Sequence, residues 1–155
     1  ASLETFAIGG ACQYLLVTDY IIASENSYMT LPARKEGIIP GAANLRLARF
    51  TGDRIARRAI QSGMRLESKS FEGKLICDEV VPENNINNQI HNVIDMFSSS
   101  GVVGAASNRR ALRIGIEPLN NFRKYMALYT HDQAYCHFSK ELIKNLEYHW
   151  DASNR

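Results

Sequence analysis

No apolar run in the sequence approaches the ~18 residues that a membrane-crossing helix needs. No basic segment leads into a short apolar stretch with a small-residue cleavage site either. No membrane partner is therefore expected, and a cytoplasmic location is. Cysteine is scarce: Cys12, Cys77 and Cys136 are odd in number, far apart and without a CxxC pair. That pattern gives poor support to a disulfide framework or a structural zinc site, and a reducing compartment is the default. An excess of one charge is missing too, because 18 Lys and Arg face 16 Asp and Glu for a net charge of +2. Nothing in that balance demands a nucleic acid or an acidic surface. The four histidines (His91, His131, His137, His149) are scattered. Only His131 and His137 are close in sequence, and a six-residue spacing does not share a helix face. No metal is expected.

What remains, 45% hydrophobic and 22% charged residues in a chain of 155, is the composition of one globular domain. Phe6-Ala7-Ile8 reads as a strand running into Gly9-Gly10, and Ala11 to Thr18 as a helix. Tyr20 to Ala23 and Tyr28 to Leu31 read as further short strands. Pro32 and the stretch from Glu36 to Gly41 punctuate a loop. Leu45, Leu47 and Phe50 predict a helix ending near Thr51-Gly52, and Asp53 to Ser62 a second one capped by Thr51 and stopped by Gly63. Leu75 to Val81 reads as a strand closed by Pro82. Ile86, Ile90, Val93, Ile94 and Phe97 recur at helical spacing before the break at 98–101. After Pro118 the pattern is helical, interrupted at His137-Phe138 and restarted with Ser139 as cap. The chain is thus α/β early and all-α late, with three or four short strands. It opens almost directly into a strand and a glycine turn without an initiator Met, so it is expected to be the C-terminal portion of something longer. An intact mass equal to these 155 residues, with no companion polypeptide, would correct that expectation.

The glycine pair is the first place where chemistry can reside. Glycine lets a backbone N–H approach a ligand closely, because no Cβ stands in the way. At a helix start that N–H is unpaired and lies at the positive end of the dipole, which suits an oxyanion or a phosphate. A bare glycine pair is more often a tight turn, and its surroundings decide the weighting. Asp19 follows, then Tyr20-Ile-Ile-Ala-Ser-Glu25, Tyr28-Met-Thr-Leu-Pro32, Glu36-Gly-Ile-Ile-Pro-Gly41, Leu45-Arg-Leu47, Gly52, Ala59, Gly63 and Val80-Val81-Pro82. This ordered array resembles the second half of the crotonase (enoyl-CoA hydratase/isomerase) superfamily.

The resemblance implies the C-terminal half of a crotonase-like ββα spiral over residues 1–82, with a C-terminal helical region of the same domain over 83–155. It implies an acyl-CoA thioester as substrate, with the Gly10 N–H as one of two donors to the thioester oxygen. Hydratases of the superfamily carry one Glu three residues after that glycine and another directly after the Pro of the later strand. Here those positions are Gln13 and Ala33. Neither titrates, so a paired-carboxylate acid/base mechanism on water is not available from them. Glu36, three residues further on, reads as a solvated or ion-paired loop carboxylate.

That substitution pattern is similar to one branch of the superfamily, associated with dihydroxyphenylglycine and antibiotic biosynthesis. Its members oxygenate 3,5-dihydroxyphenylacetyl-CoA with neither metal nor organic cofactor. The likeness extends through Leu31 to Arg46, Asn108 to Leu112, Glu117-Pro118, Phe122 to Met126, Gln133 to Phe138 and Asn145 to Trp150. It implies Gly10 and Gln13 as catalytic residues and Ile38, Ile39, Pro40 and Gly41 as the wall of a substrate and O₂ pocket. The expected partners are the acyl-CoA, the N-terminal half of the same protein and further copies in a trimer or hexamer, with no nucleic acid. Two other readings stand beside it: an acyl-CoA isomerase or thioesterase of the same superfamily, and a non-catalytic interaction module. The only support for the module is the cluster Arg46, Arg49, Arg54, Arg57 and Arg58, which reads more simply as a solvated helix face paired with Asp53. Tyr125, Tyr129, Tyr135, Tyr148 and Trp150 read as helix packing.

Overall fold

The first four strands alternate between two sheets, and the fifth then stays on the second before the sixth returns to the first. β1 (Ser2–Leu3), β3 (Ile22–Ser24) and β6 (Glu79–Val81) form one, parallel throughout, in the order β1-β3-β6. β2 (Phe6–Ile8), β4 (Tyr28–Thr30) and β5 (Leu66–Glu67) form the other in the order β2-β4-β5, with β4 parallel to β2 and antiparallel to β5. The computed structural model describes residues 1–99 and 101–150, apart from the side chains of 149 and 150. The expectations for Ser100, His149 and Trp150 therefore lie outside what is described.

The first two turns of chain each lay one short strand on each sheet and then enter a helix. After β1 and β2 comes α1 (Gly10–Leu15). After β3 and β4 come α2 (Ala33–Glu36) and α3 (Ala43–Ser62). The register sets Leu3 beside Ala23 and Ala7 beside Met29, all four buried. Leu15, Leu31, Leu47, Ala56 and Ala59 close over them from the helices and the β4 exit, making one apolar core. The buried hydroxyls below it are satisfied locally. Ser27 Oγ donates to the Ser24 carbonyl at 2.7 Å and lies 2.7 Å from Ser68 Oγ.

Several expectations change at this level. The sequence shows three or four strands and the described residues form six, because β1 and β5 have two residues each and carry no readable alternation. α3 does break where expected, at Gly52 with φ 73° and ψ 161°. Thr51 does not cap the second part, however: its hydroxyl donates back to the Leu47 carbonyl at 3.1 Å. Gly63 stops α3 as anticipated, at φ 62°. The expected strand from Leu75 shrinks to Glu79–Val81, because Ser70 caps a short helix α4 (Phe71–Lys74), accepting the Gly73 N–H at 3.0 Å. The loop around residues 36–41 is shorter than read, since α2 occupies Ala33–Glu36 and ends at Gly37 in the left-handed region.

The later chain is helical: α5 (Ile86–Ser98), α6 (Val102–Ile116), α7 (Leu119–His137) and α8 (Lys140–Trp150). α6 carries no buried residue, which is why its sequence gave no helical stripe to read. α8 is capped by Ser139 as expected, through the Leu142 N–H at 3.2 Å. Polar clasps join this tail to the core. Arg109 Nε bonds both carboxylate oxygens of Asp19 at 2.7 Å, and Arg113 reaches the Val17 carbonyl. Large apolar side chains on the tail stay exposed, Val102 and Phe138 at 82% and 90%. Among the described residues no helix is long and apolar enough to cross a membrane.

Candidate active site

The turn from β2 into α1 is fixed by Gly9. Its φ of 57° and ψ of −111° lie where an L side chain is strained, and its N–H donates to the Thr30 carbonyl at 3.0 Å. That bond ties the end of β2 to the end of β4. Gly10 then opens α1 and is exposed. The first donor within this turn is the Gln13 N–H, to the Gly9 carbonyl at 3.1 Å, so the Gly10 N–H precedes the helical bonds. Gly10 and Gln13 stand three residues apart on one helical face.

Gln13 does more than follow Gly10. Its Oε1 accepts the Ala42 N–H at 3.1 Å, and a Cβ placed on Gly41 would lie 2.2 Å from that same oxygen. Gly41 has φ 48°. Two independent constraints therefore demand glycine there: the left-handed backbone and the amide packed against it. The structure thus brings the α1 residue of the sequence reading onto the Ile38–Gly41 loop, 28 residues later in the chain. Pro40 is buried, and Ile38 and Ile39 are half-buried.

Two residues of the site escaped the sequence reading. The Tyr125 hydroxyl donates to the Gly41 carbonyl, and Gln133 Oε1 accepts the Ile39 N–H at 3.0 Å. In the sequence Tyr125 reads as helix packing. It does stack on Tyr129 at 6.4 Å, but its hydroxyl belongs to the loop. Burial raises the Tyr125 pKa, and a hydrogen bond with Asn44 works against that shift. Nothing in the spacing of either residue could have shown this, because the contacts bridge 84 and 94 residues.

The arginine cluster divides. Arg57 pairs with Asp53 at 2.7 Å on the surface, as expected. Arg46 is half-buried and Arg49 is exposed, and both turn onto Glu117. Arg46 meets it with two bonds at 2.9 and 2.8 Å and Arg49 with one at 2.8 Å. The Arg46 hydrogen bonds, ahead of those of Arg49 and against some desolvation, hold the Glu117 carboxyl below the usual carboxylate range. The guanidinium of Arg46 also lies 5.7 Å over the Phe122 ring. Beside this clamp a cleft of ≈ 770 Å³ opens between the segment that follows α1 and the helices α3, α6 and α7, walled by Leu16, Phe50, Ile116 and Phe122. Gly10, Gln13 and the Ile38–Gly41 loop do not line it.

Among the described residues no three His, Cys, Asp or Glu side chains gather as a metal site would require. His131 lies 2.9 Å from its neighbour Asp132, and His137 Nδ1 lies 2.7 Å from the Gln133 carbonyl. Cys12 and Cys77 are buried free thiols, pushed up to about 12 and about 11 chiefly by desolvation.

Comparison with known proteins agrees with this architecture. Residues 1–130 match the model of the Enoyl-CoA hydratase/isomerase family. A (3,5-dihydroxyphenyl)acetyl-CoA 1,2-dioxygenase of Amycolatopsis orientalis is 40% identical over 143 residues, 92% of this chain and 32% of that protein. A 2,3-dehydroadipyl-CoA hydratase of Escherichia coli K12 is 30% identical over 83 residues, 53% of this chain and 32% of that protein. Among solved structures, an enoyl-CoA hydratase from Mycobacterium avium subsp. paratuberculosis K-10 superposes with a TM-score of 0.86 at 20% identity, over 95% of this chain and 59% of that one. The chain spans about a third of the length of these two curated relatives. It belongs to the enoyl-CoA hydratase/isomerase, or crotonase, family.

Proposed function

We propose that the chain is the C-terminal part of a dioxygenase that acts on an arylacetyl-CoA, with 3,5-dihydroxyphenylacetyl-CoA as substrate, and that needs neither metal nor organic cofactor. The observation that carries this reading is the pair Gln13 and Ala33, at the positions where hydratases of the family place carboxylates. The likeness to the Amycolatopsis orientalis dioxygenase along 92% of the chain supports it further.

In this reading the Gly10 N–H is one donor to the thioester oxygen, and the enolate is stabilised as charge develops there. Removal of one such donor costs on the order of 3 kcal/mol in other enzymes. Loss of a proton from the carbon between ring and thioester gives a carbanion delocalised into both. That carbanion transfers its electrons to O₂ and forms a peroxide on the same carbon. The peroxide oxygen attacks the thioester carbonyl and expels CoA thiolate. Cleavage of the O–O bond and loss of the remaining α-proton leave an arylglyoxylate. One thioester and one O₂ thus become one α-keto acid and one CoA, with both oxygen atoms in the acid. Ile38, Ile39 and Pro40 supply an apolar wall, suited to O₂ and to excluding water. Gln13 offers its amide Nε2, which donates to no group among the described residues, to substrate or peroxide.

The second oxyanion donor and most of the CoA site are assigned to an N-terminal half of the same protein. The outer edges of β1 and β2, each paired on one side only among the described residues, support its docking there, as does Phe6, exposed at 58%. A homo-oligomer, trimeric or hexameric as in the family, and a cytoplasmic location complete the proposal. Of the five arginines behind the interaction-module reading, Arg46, Arg49, Arg57 and Arg58 pair with carboxylates within the chain, which favours the enzyme reading and leaves Arg54 outside these ion pairs. The test is ¹⁸O₂ labelling with the arylacetyl-CoA. Two labelled atoms in the keto acid are expected. CoA release with an unlabelled acid would reassign the protein to thioester hydrolysis.

A further inference from the structure

The loop from Ile38 to Ala42 makes few bonds of its own. The Ile38 N–H reaches Ala33, the Gly41 N–H reaches Ile39, and Ala43 returns to Pro40. The Ile39 N–H, the Gly41 carbonyl and the Ala42 N–H have side chains as partners: Gln133, Tyr125 and Gln13. Unpaired, such groups destabilise a partly buried loop. Two of the three side chains lie on α7. That helix is anchored just before its start by Glu117 on Arg46 and Arg49. Beyond its end α8 packs against α2, so closely that a Cβ on Gly37 would lie 3.3 Å from Leu142 Cα. The segment Gly37–Ala42 is therefore held from α1 on one side and from α7 and α8 on the other.

We infer that Tyr125 and Gln133 are positioning residues for the acyl pocket: through the backbone of Ile39 and Gly41 they set where the side chains of Ile38, Ile39 and Pro40 stand. The inference rests on the loop being a pocket wall, as proposed above. The C-terminal helices then act on the chemistry without touching substrate, and a small displacement of the wall is felt in binding and orientation. The hydroxyl and the amide act in opposite senses, one donating to a carbonyl and the other accepting an N–H, so the loop is fixed in both position and tilt.

The test uses the full-length protein and two readouts: amide exchange of residues 38–42, and the affinity for the arylacetyl-CoA alongside its turnover. Tyr125→Phe keeps the ring on Tyr129 and removes only the donor. Gln133→Leu removes the acceptor, and Gln133→Glu restores it. Tyr125→Phe and Gln133→Leu should each speed exchange in 38–42 by about fivefold or more and weaken acyl-CoA binding by a similar factor. Gln133→Glu should return both toward the parent. Unchanged exchange and unchanged affinity in the first two variants overturn the inference, and so does a Gln133→Glu that behaves like Gln133→Leu. Should Gln133→Leu not fold, Tyr125→Phe decides alone. A parent protein that binds acyl-CoA and takes up no O₂ refutes the oxygenase reading only. Exchange and affinity then still decide the role of α7.

Discussion

Gln13 and Ala42, 29 residues apart, are joined by a 3.1 Å hydrogen bond from the Ala42 backbone N–H to the side-chain oxygen of Gln13. A residue that stands where the family's hydratases carry an acid is here half a structural brace, with only its Nε2 left for chemistry. A carboxylate in its place would still accept the Ala42 N–H, but it would lose the donor and add a charge. Gln13→Glu is therefore expected to leave the thermal midpoint within a few degrees and to lower kcat for oxygenation by tenfold or more, about 1.4 kcal/mol in the barrier. Steady-state O₂ uptake with a melting curve checks this. Unchanged kinetics remove Gln13 from the mechanism.

Gly41 shares that brace. A methyl group there would meet Gln13 Oε1 at 2.2 Å and would sit at φ 48°. Gly41→Ala should destabilise by about 1–3 kcal/mol from backbone strain and overpacking together. Adding Gln13→Ala should relieve the overpacking and not the strain. The double variant should then be less destabilised than the sum of the single changes, as denaturant midpoints would show. Strict additivity would separate the two residues.

The Glu117 clamp has a pH signature. Its carboxyl is held below the ordinary 4.5, so the proton is bound more weakly in the folded state than in the unfolded one. The stabilisation is complete above 4.5 and is lost as pH falls through the lower folded value. Glu117→Gln should cost about 1–2 kcal/mol at neutral pH, given two arginine partners and limited exposure. The gap to the parent should narrow below pH 4.5. A gap that stays constant down to pH 2 would assign the loss to packing and not to ionisation.

Thiol chemistry reads out the core. Cys12 and Cys77 are buried at 0% and 6% exposure with raised pKa values, while Cys136 is half-buried on α7. Of these three thiols, an aromatic disulfide reagent at pH 8 should modify Cys136 quickly in the native state and all three after denaturation. Rapid modification of all three in the native state would contradict the buried placement of α1 and the residue 77 turn.

What the sequence made legible follows from how local each signal is. The β2–Gly9-Gly10–α1 turn, the Gly63 stop and the Ser139 cap are short-range devices, and all three stand where they were read. The break at Gly52 was also visible, although Thr51 bonds backward instead of capping. β1 and β5 were invisible because two residues cannot show a period. α6 was missed because, with none of its residues buried, it lacks an apolar stripe. The glycine, the glutamine and the apolar loop of the site could be named through a resemblance. Their closure could not: Tyr125 and Gln133 reach the loop across 84 and 94 residues, and no spacing encodes such a meeting. The Arg46–Glu117 pair, 71 residues apart, was hidden for the same reason within what reads as a solvated arginine row.

The most direct measurement is O₂ consumption by the full-length protein on 3,5-dihydroxyphenylacetyl-CoA with a strong metal chelator present, alongside the CoA released. One O₂ consumed per CoA, at a rate the chelator does not change, is the expected result. CoA release without O₂ consumption, or uptake abolished by the chelator and restored by metal, would contradict a cofactor-free dioxygenase.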